Sequence, residues 1–394
     1  MRSPAFAFAA LLTTAIACAD GEDGRGPFEP PPPGNDQTGN IEVSLSVTGG
    51  STDPDGCRIS VDGDSEQVLQ SGDAYVFSNL SAGGHTVTIT EVVAQCVVAG
   101  DTARAVSVEA RQTTRVAFTV DCAGPLPDHI AFDSRRDGNL EVYVMAADGS
   151  NPVNLTNNPN DDYLPAWSPD GTQLAFTRRQ GETSQIYLMN SRGENVRRLT
   201  ENTSGTDLQP AWSPLGDRIA FTRCNAAHFC TIYVIDADGS NMEPLVDSPT
   251  ETQSSPTWSP DARWLAISVG SGRDSDIYLV PSTGGAPIKL IDNGGQDSNP
   301  DWSPDGTRIA FMSWGGHGNG LYTIGIDGSN QTMVVSGTCL QSPDWSPDGT
   351  RIAFQGVCGN QYDIHTVRPD GTGMVNLTNA PGWHDMSPDW SPIP

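Results

Sequence analysis

The triplet Trp-Ser-Pro recurs through the chain at nearly constant spacing. It occurs six times, at Trp167, Trp212, Trp258, Trp302, Trp345 and Trp390, with intervals of 45, 46, 44, 43 and 45 residues. A repeat near this period, with several short strands in each copy, indicates a β-propeller. One copy cannot bury both of its own faces, so the copies must stack around an axis.

Each copy has the pattern of a four-stranded blade. In residues 165–200, one strand ends at Trp167 and the segment Pro169-Asp170-Gly171 turns the chain. A second strand follows at Leu174-Ala175-Phe176, a third at residues 186–189 and a fourth near Leu199. Asp-Gly turns between the last two strands of sister copies are typical of hairpins.

The number of blades follows from where the pattern starts and stops. Second strands lie at residues 130, 174, 219, 265, 309 and 352. No Trp-Ser-Pro precedes the first of them, and no apolar strand follows Trp390. We therefore predict an all-β fold with a six-bladed β-propeller over residues 129–394. The C-terminal strand completes the first blade and closes the ring, which removes exposed sheet edges.

The repeated motifs P-x-W-S-P-D-G, I-A-F, I-Y and L-T resemble those of the TolB-type, WD-repeat-like propeller over residues 125–394. The resemblance implies a six-bladed, exported protein engaged mainly in protein–protein contacts. Asp261-Ala262-Arg263 and Pro214-Leu215-Gly216 depart from the turn motif. The N-terminal part does not resemble the α/β domain of TolB, so the particular partners of TolB do not carry over.

The N-terminus predicts export and a lipid anchor. Residues 1–18 combine Arg2, an apolar run and small residues, as a signal peptide does. The ending Ala15-Ile16-Ala17-Cys18 resembles a bacterial lipoprotein cleavage box, which makes Cys18 the expected lipidation site; ordinary cleavage after Ala17 is the alternative. Residues 19–40 read as a disordered tether. Because Ala19 rather than Asp follows Cys18, we expect attachment to the outer membrane, on its periplasmic or its surface side.

Residues 41–122 differ from the repeats. Alternating apolar and polar runs separated by Gly and Asp clusters predict a small β-sandwich of about seven strands. The stretch at residues 80–87 resembles the end of small prealbumin-like or PEGA-like surface domains, which implies a spacer or adhesion module. We therefore expect an Ig-like or prealbumin-like sandwich. A short, proline-stiffened linker at residues 123–128 joins it to the propeller.

The cysteines of an exported protein can form disulfides. Cys339 and Cys358 lie symmetrically about a hairpin turn, which predicts that they face each other. Cys224 and Cys230 bracket a short loop between two strands of one blade. Cys96 and Cys122 are expected to join strands of the sandwich; Cys57 is left over and could instead pair with either of them. No Cys or His spacing indicates zinc.

Strand direction divides the propeller loops between two faces. The Ser-Pro-Asp-Gly and Asp-Gly-Ser turns fall on one face, here called the uniform face. The loops between second and third strands and the entries to the Trp strands fall on the other, the variable face, where binding is expected. Four aspartates on the variable face lie three positions before the proline of a Trp strand, and we predict that they form a broken acidic ring: Asp162, Asp207, Asp297 and Asp385. Such a ring suits a basic peptide, a cation or a polyol; the alternative is capping of backbone N–H groups.

Aromatic and histidine side chains on the same loops are further candidates for partner contact. They are Trp314, His317, Trp383 and His384, with His228 on a neighbouring loop. Exposed aromatics beside carboxylates suit sugar or peptide binding, and packing within the loops is the alternative for each.

Charge and missing motifs narrow the function. The net charge is −27 and Lys289 is the only lysine, which argues against nucleic acid and anionic lipid as partners. Gly-x-Ser-x-Gly, His-Glu-x-x-His and a Walker loop are missing, so we predict no catalytic residue, metal or cofactor. We expect a monomeric, non-catalytic binding or scaffold protein of the cell envelope with a protein or peptide partner, held at the membrane only by its lipid. The alternatives are a carbohydrate-binding envelope protein and a metal-dependent polysaccharide lyase built on a histidine cluster.

Overall fold

All regular secondary structure in the part of the chain that the structure describes is β. The computed structural model describes residues 37–49, 56–90, 92, 96–122, 124–246, 251–271, 274–316, 318–358, 361–379 and 382–392. The predicted signal peptide with Cys18, most of the predicted tether, and His317 lie outside these residues. No helix among the described residues is long and apolar enough to cross a membrane.

The N-terminal module contains two four-stranded sheets. Its strands are β1 (Thr38–Gly49), β2 (Cys57–Val61), β3 (Asp64–Leu69), β4 (Ala74–Ser81), β5 (Gly83–Thr90), β6 (Cys96–Val98), β7 (Ala103–Val108) and β8 (Thr113–Cys122). One sheet has the order β4-β1-β8-β6, with β1 and β8 parallel, and the other has the order β3-β2-β5-β7. Alternate residues of both sheets, such as Val43, Ile59 and Phe118, share one hydrophobic core. The first strand begins at Thr38, three residues before the predicted start of the module.

The repeat region follows from β9 to β32. Its strands are β9 (His129–Ser134), β10 (Glu141–Ala146), β11 (Val153–Asn154), β12 (Asp161–Trp167), β13 (Gln173–Gln180), β14 (Thr183–Asn190), β15 (Arg197–Arg198), β16 (Thr206–Trp212), β17 (Arg218–Cys224), β18 (Cys230–Asp236), β19 (Glu243–Pro244), β20 (Gln253–Trp258), β21 (Trp264–Ser271), β22 (Asp274–Pro281), β23 (Ile288–Lys289), β24 (Gly295–Trp302), β25 (Arg308–Gly315), β26 (Gly320–Gly325), β27 (Thr332–Ser336), β28 (Gln341–Trp345), β29 (Ile352–Cys358), β30 (Gln361–Val367), β31 (Val375–Asn376) and β32 (Asp385–Trp390).

These strands form six four-stranded antiparallel blades. Blade 1 is β32-β9-β10-β11, and blades 2 to 6 are β12–β15, β16–β19, β20–β23, β24–β27 and β28–β31. Blades 2 and 3 are also joined by a parallel pair between Ser184 and Thr206. In every blade the inner strand ends in the repeated tryptophan, and the outer strand is short. A short outer strand limits pairing with other chains.

Hydrophobic clusters fill the seams between neighbouring blades. In the seam between blades 3 and 4, Trp258 packs with Ala220 and Val234 of the preceding blade. Five further clusters fill the other seams, and one of these joins Ile364 of blade 6 to Ile130 and Met145 of blade 1. Each sheet therefore buries both faces against its neighbours, as the repeat predicted.

The C-terminal strand belongs to the first blade. β32 pairs antiparallel with β9, with Trp390 opposite Ile130 and Asp385 opposite Ser134. This is the pairing that closure of a ring by the chain's tail requires, and it leaves β9 with a neighbour on each side.

The N-terminal module contacts the uniform face at blade 2. Arg192, in the turn between β14 and β15, forms an ion pair with Asp121 of β8 at 2.7 Å. In the same turn the Asn195 side chain donates to the Cys96 carbonyl at 2.7 Å, and the Ser191 hydroxyl donates to the Gly124 carbonyl at 2.9 Å. The variable face therefore lies on the side away from these contacts.

Two predicted disulfides are present and one is not. Cys96 is bonded to Cys122, and Cys224 is bonded to Cys230. The predicted bridge from Cys339 to Cys358 is wrong for this structure, because Cys339 has a free, exposed thiol.

A β-bulge explains the missing bridge. Trp345 lies opposite Ile352, and this register, continued, would place Cys339 opposite Cys358. The bulge between Gln341 and Asp344 shifts the register, so that Gln341 lies opposite Gln355. The shifted register therefore no longer aligns Cys339 with Cys358.

We expect deletion of residues 386–394 to destabilise the whole repeat region. It removes the pairing of β32 with β9 and the packing of Trp390, a loss of several kcal/mol. In a domain of this size that lowers Tm by about 10 °C or more. Calorimetry of the full and shortened chains measures the shift; an unchanged Tm and cooperativity would show that β32 is not part of the fold.

Candidate functional site

One central cavity is lined by the inner strands of all six blades. Its volume is about 370 Å³, and its walls are formed by the segments around the repeated Pro-x-Trp-Ser-Pro motif. The residue that precedes the first proline of this motif has a positive φ in every blade, between 49° and 54°, at Leu164, Gln209, Ser255, Asn299, Ser342 and Ser387. None of these is a glycine, so each of the six inner strands carries one strained position, which lies at its β-bulge.

Three aspartates extend into this cavity from consecutive blades. Asp301, Asp344 and Asp389 directly precede the repeated tryptophan in blades 5, 6 and 1, and each is half-buried. Ala166, Ala211 and Thr257 occupy the same position in blades 2 to 4, as the sequence shows at once. No other acidic or basic side chain is among the described residues that line the cavity.

Each cavity aspartate accepts a hydrogen bond from the next blade. The backbone N–H of Trp345 donates to the Asp301 carboxylate at 2.8 Å. In the same way the backbone N–H of Trp390 donates to Asp344 and that of Trp167 to Asp389, both at 2.7 Å. The carboxylates therefore tie three adjacent seams as well as lining the cavity.

Burial raises the pKa of all three carboxyl groups. The pKa of Asp301 is raised to about 7 and that of Asp389 to about 8, because the surrounding protein disfavours the charged form. Burial and the charges of Asp301 and Asp389 raise the pKa of Asp344 well above its ordinary value. Near neutral pH these groups therefore hold protons that ordinary surface aspartates have lost.

A fourth acid with a raised pKa lies beside the cavity wall. Asp133 of β9 accepts a hydrogen bond from the strained Leu164 N–H at 3.2 Å, and burial raises its pKa to about 6. Asp133 therefore adds a further acidic side chain next to β32, the strand with which β9 pairs.

The four predicted ring aspartates are buried rather than exposed. Asp162 and Asp207 each form a two-bonded ion pair at 2.7 Å, with Arg178 and Arg223 respectively. Asp385 is held in the same way by Arg136 at 2.9 Å, and Asp297 is also fully buried. These carboxylates therefore lie beneath the surface of the variable face, and arginines neutralise three of them. They do not form the exposed acidic ring that the sequence predicted.

The predicted aromatic and histidine candidates separate into exposed and packed side chains. Trp383 is 41% exposed on the loop before β32. His384 packs on Tyr362 with ring centroids 5.5 Å apart, and the half-buried Trp314 donates to the Thr338 carbonyl at 3.2 Å. His228 is exposed at the tip of the disulfide-closed loop of blade 3.

Two other features of the site were not anticipated. Asp301, Asp344 and Asp389 were not among the predicted site residues, although the string Pro-Asp-Trp that marks them occurs in three of the six copies. Phe229, which is 49% exposed beside His228 on the variable face, was not predicted either. Among the described residues, no three His, Cys, Asp or Glu side chains are arranged to share a metal ion.

Comparison with known proteins agrees with the fold. A family model described as the TolB beta propeller domain matches residues 60–255 and 207–393. The chain is similar to the Tol-Pal system protein TolB of Desulfosudis oleivorans, with 38% identity over 65 residues, which is 16% of this chain and 15% of that protein. It is also similar to an uncharacterized peptidase, YuxL of Bacillus subtilis, with 38% identity over 64 residues, 16% of this chain and 9% of that protein. The chain therefore spans only a small part of these curated relatives.

A solved structure shows the same fold over a longer stretch. The crystal structure of TolB from Acinetobacter baumannii superposes with a TM-score of 0.61 at 20% identity, covering 68% of this chain and 67% of that one. At this identity the likeness concerns the fold.

We expect the buried ion pairs under the variable face to be structural. Arg178→Met should cost about 3–5 kcal/mol, because it leaves the fully buried Asp162 carboxylate without its cation. The neighbouring Arg179→Met is the matched control: Arg179 pairs with Asp161 while 51% exposed, so its loss should cost less than about 1 kcal/mol. Urea unfolding of both variants measures the difference, and equal costs would contradict it.

Proposed function

Because the chain belongs to the TolB beta propeller domain family, we propose that it is a non-catalytic binding protein of the cell envelope. Its propeller presents the variable face to a protein or peptide partner. We further propose that β32 closes the six blades into a ring and that the two N-terminal sheets form a sandwich that spaces this ring from a lipid anchor at Cys18.

The difference between the two faces is the observation that carries the proposal. On the uniform face the same hydrogen bond, from the serine hydroxyl to an aspartate at 2.6 Å, recurs in the Ser-Pro turns of blades 2 to 6. On the variable face one loop is closed by a disulfide, one strand connection is a tight turn between Gln180 and Thr183, and two loops carry exposed aromatic rings. Loops that vary more on one face of a repeated scaffold than on the other are typical of a binding surface.

The position of the N-terminal module supports this orientation. Its contacts through Arg192 and Asn195 occupy the uniform face at blade 2, so the variable face is left open on the opposite side. A module placed between the anchor and the uniform face would direct the variable face away from the membrane.

Phe229 and Trp383 are the proposed anchors for the partner. Both rings are large, apolar and exposed on loops of the variable face. Buried aromatic anchors contribute much of the energy of protein–protein contacts, and exposed aromatic rings are the groups that become buried there.

The binding proposal predicts a loss of partner from one face only. Phe229→Ser/Trp383→Ser should lose the partner in pull-downs from envelope extract, with a free energy loss of about 2 kcal/mol or more per anchor. The matched control is Leu215→Ser on the uniform face, where Leu215 is 71% exposed. Retention of every partner by the double variant would exclude these loops as the site.

A carbohydrate partner is the second candidate, and Trp383 is the observation that favours it. Its exposed ring lies next to His384, which packs on Tyr362, and flat aromatic surfaces of this kind stack on sugars. Glycan-array binding that is lost in Trp383→Ser but kept in Phe229→Ser would support this candidate over a peptide partner.

The anchor proposal is tested separately. Cells that express the full chain are grown with a palmitate analogue, and we expect Cys18 to be the labelled residue. Cys18→Ala should abolish incorporation and release the protein from the membrane fraction, whereas Cys339→Ala, which changes a free exposed thiol, should leave both unchanged. Labelling that persists in Cys18→Ala would disprove the anchor.

A further inference from the structure

The three cavity aspartates surround the C-terminal strand. Asp344 of blade 6 accepts from the Trp390 N–H of β32, and Asp389 of β32 accepts from the Trp167 N–H of blade 2. β32 is therefore held to both neighbouring blades by carboxyl groups that line the cavity. Asp301 ties the adjacent seam between blades 5 and 6 in the same way.

The other seams show that such carboxyl groups are not a requirement of the fold. Blades 2 and 3 have Ala166 and Ala211 at the equivalent position, so no side chain there accepts a hydrogen bond. Blade 4 has Thr257, whose hydroxyl donates to Asp301 at 3.1 Å. The acids are thus concentrated on the side of the ring that the chain's tail completes.

The cavity offers these acids no positive partner. The charges that act on the three carboxyl groups are those of the other two cavity aspartates. On the strands packed around them, Asp133 of β9 is itself acidic, and Arg136 is engaged with Asp385.

Further charged and titratable groups on these strands have other neighbours. The His129 ring, at the start of β9, contacts the Pro127 carbonyl at 2.7 Å. Arg308 of β25 lies over the Trp345 ring at 4.8 Å. On β30, Asp363 accepts from the Asn376 side chain at 2.8 Å, and His365 stacks on Phe354 with ring centroids 5.5 Å apart. Ionisation of all three cavity aspartates would therefore gather like charges around one cavity.

We propose that Asp301, Asp344 and Asp389 form a proton-controlled latch on β32, an inference that rests on the ring closure proposed above. In the protonated form each carboxyl group accepts its tryptophan N–H without adding charge to the cavity. In the ionised form mutual repulsion and the cost of burying the charges weaken the seams on both sides of β32. The strand then separates more often from its neighbours, and the ring opens at the junction of its two ends.

The direction of the pH dependence follows from linkage. Burial raises the pKa of these groups in the folded state, so the folded chain binds more protons than the unfolded chain between the ordinary aspartate pKa and the raised values of about 7 and 8. Their contribution to stability is fully present below the ordinary value and is lost as the pH rises through the raised values. The latch is closed on the acidic side of neutrality and weakened on the alkaline side.

Hydrogen–deuterium exchange of the full chain tests the latch. The measured quantity is the protection factor of residues 385–392, corrected for the intrinsic rate, from pH 5.5 to pH 8.5. We expect it to fall by at least about tenfold in the wild type, which is the effect of a shift of one pKa unit in a single group. Asp301→Asn/Asp344→Asn/Asp389→Asn keeps an oxygen that accepts the tryptophan N–H and cannot ionise, so its protection should stay constant.

A matched variant separates local from general charge effects. Asp148→Asn/Asp327→Asn/Asp370→Asn removes three charges from exposed turns. Its protection factor should fall with pH along the same slope as in the wild type. If the cavity variant does not fold, the single change Asp344→Asn should still reduce the slope.

The outcomes distinguish the latch from the closure on which it rests. A flat wild-type profile with strong protection overturns the latch and leaves closure standing. Absence of protection at every pH overturns closure itself. An equal slope in the wild type and the cavity variant also overturns the latch.

Discussion

The packing of each tryptophan-bearing inner strand against the neighbouring blade is the interaction on which the rest of the structure depends. A single four-stranded blade has two apolar faces and cannot shield either alone. At the centre of each second strand a large side chain is completely buried: Phe132, Phe176, Phe221, Ile267, Phe311 and Phe354. The tryptophan rings extend this burial across the seams. Because every seam needs a blade on both sides, the position of β32 beside β9 is as important as any local turn.

The strained residue in each inner strand links this packing to the cavity. A positive φ at a non-glycine residue costs about 1 kcal/mol or more. The six inner strands keep this conformation because the packing of the surrounding sheets fixes their backbone. A bulge also changes where the following side chains point. The residue before the tryptophan therefore reaches both the cavity and the backbone of the next blade, as Asp301, Asp344 and Asp389 do. The same bulge in every inner strand therefore directs the residue before the tryptophan into the cavity, and the type of that residue differs between blades.

The sequence predicted the period of the repeat, the four strands of each blade and two disulfides, because these depend on local patterns. Predictions from the sequence were wrong or incomplete where a single residue changes the register of a strand or supplies a distant partner. Cys339 and Cys358 matched an ideal hairpin, but the bulge after Gln341 shifted the register. Neither predicted role of Asp162, ligand binding or capping of backbone N–H groups, includes its ion pair, because the cation, Arg178, lies sixteen positions away on the next strand. The cavity acids do not follow from the features that all copies share; they are indicated only by the difference between Pro-Asp-Trp and Pro-Ala-Trp among the copies.

The acids among the six inner strands are distributed unevenly, and this sets the seams near β32 apart from the others. Burying a carboxyl group without a cation costs free energy, and alanine in the same position of blades 2 and 3 shows that the fold does not need the acid. Asp162 and Asp207, by contrast, have arginine partners, so their burial is compensated. The three half-buried cavity acids, which have no cation and lie on consecutive seams that include both seams of β32, therefore call for an explanation other than a requirement of the fold. Control of that junction by protonation is such an explanation, because it uses the same cost that makes these residues unfavourable as purely structural elements.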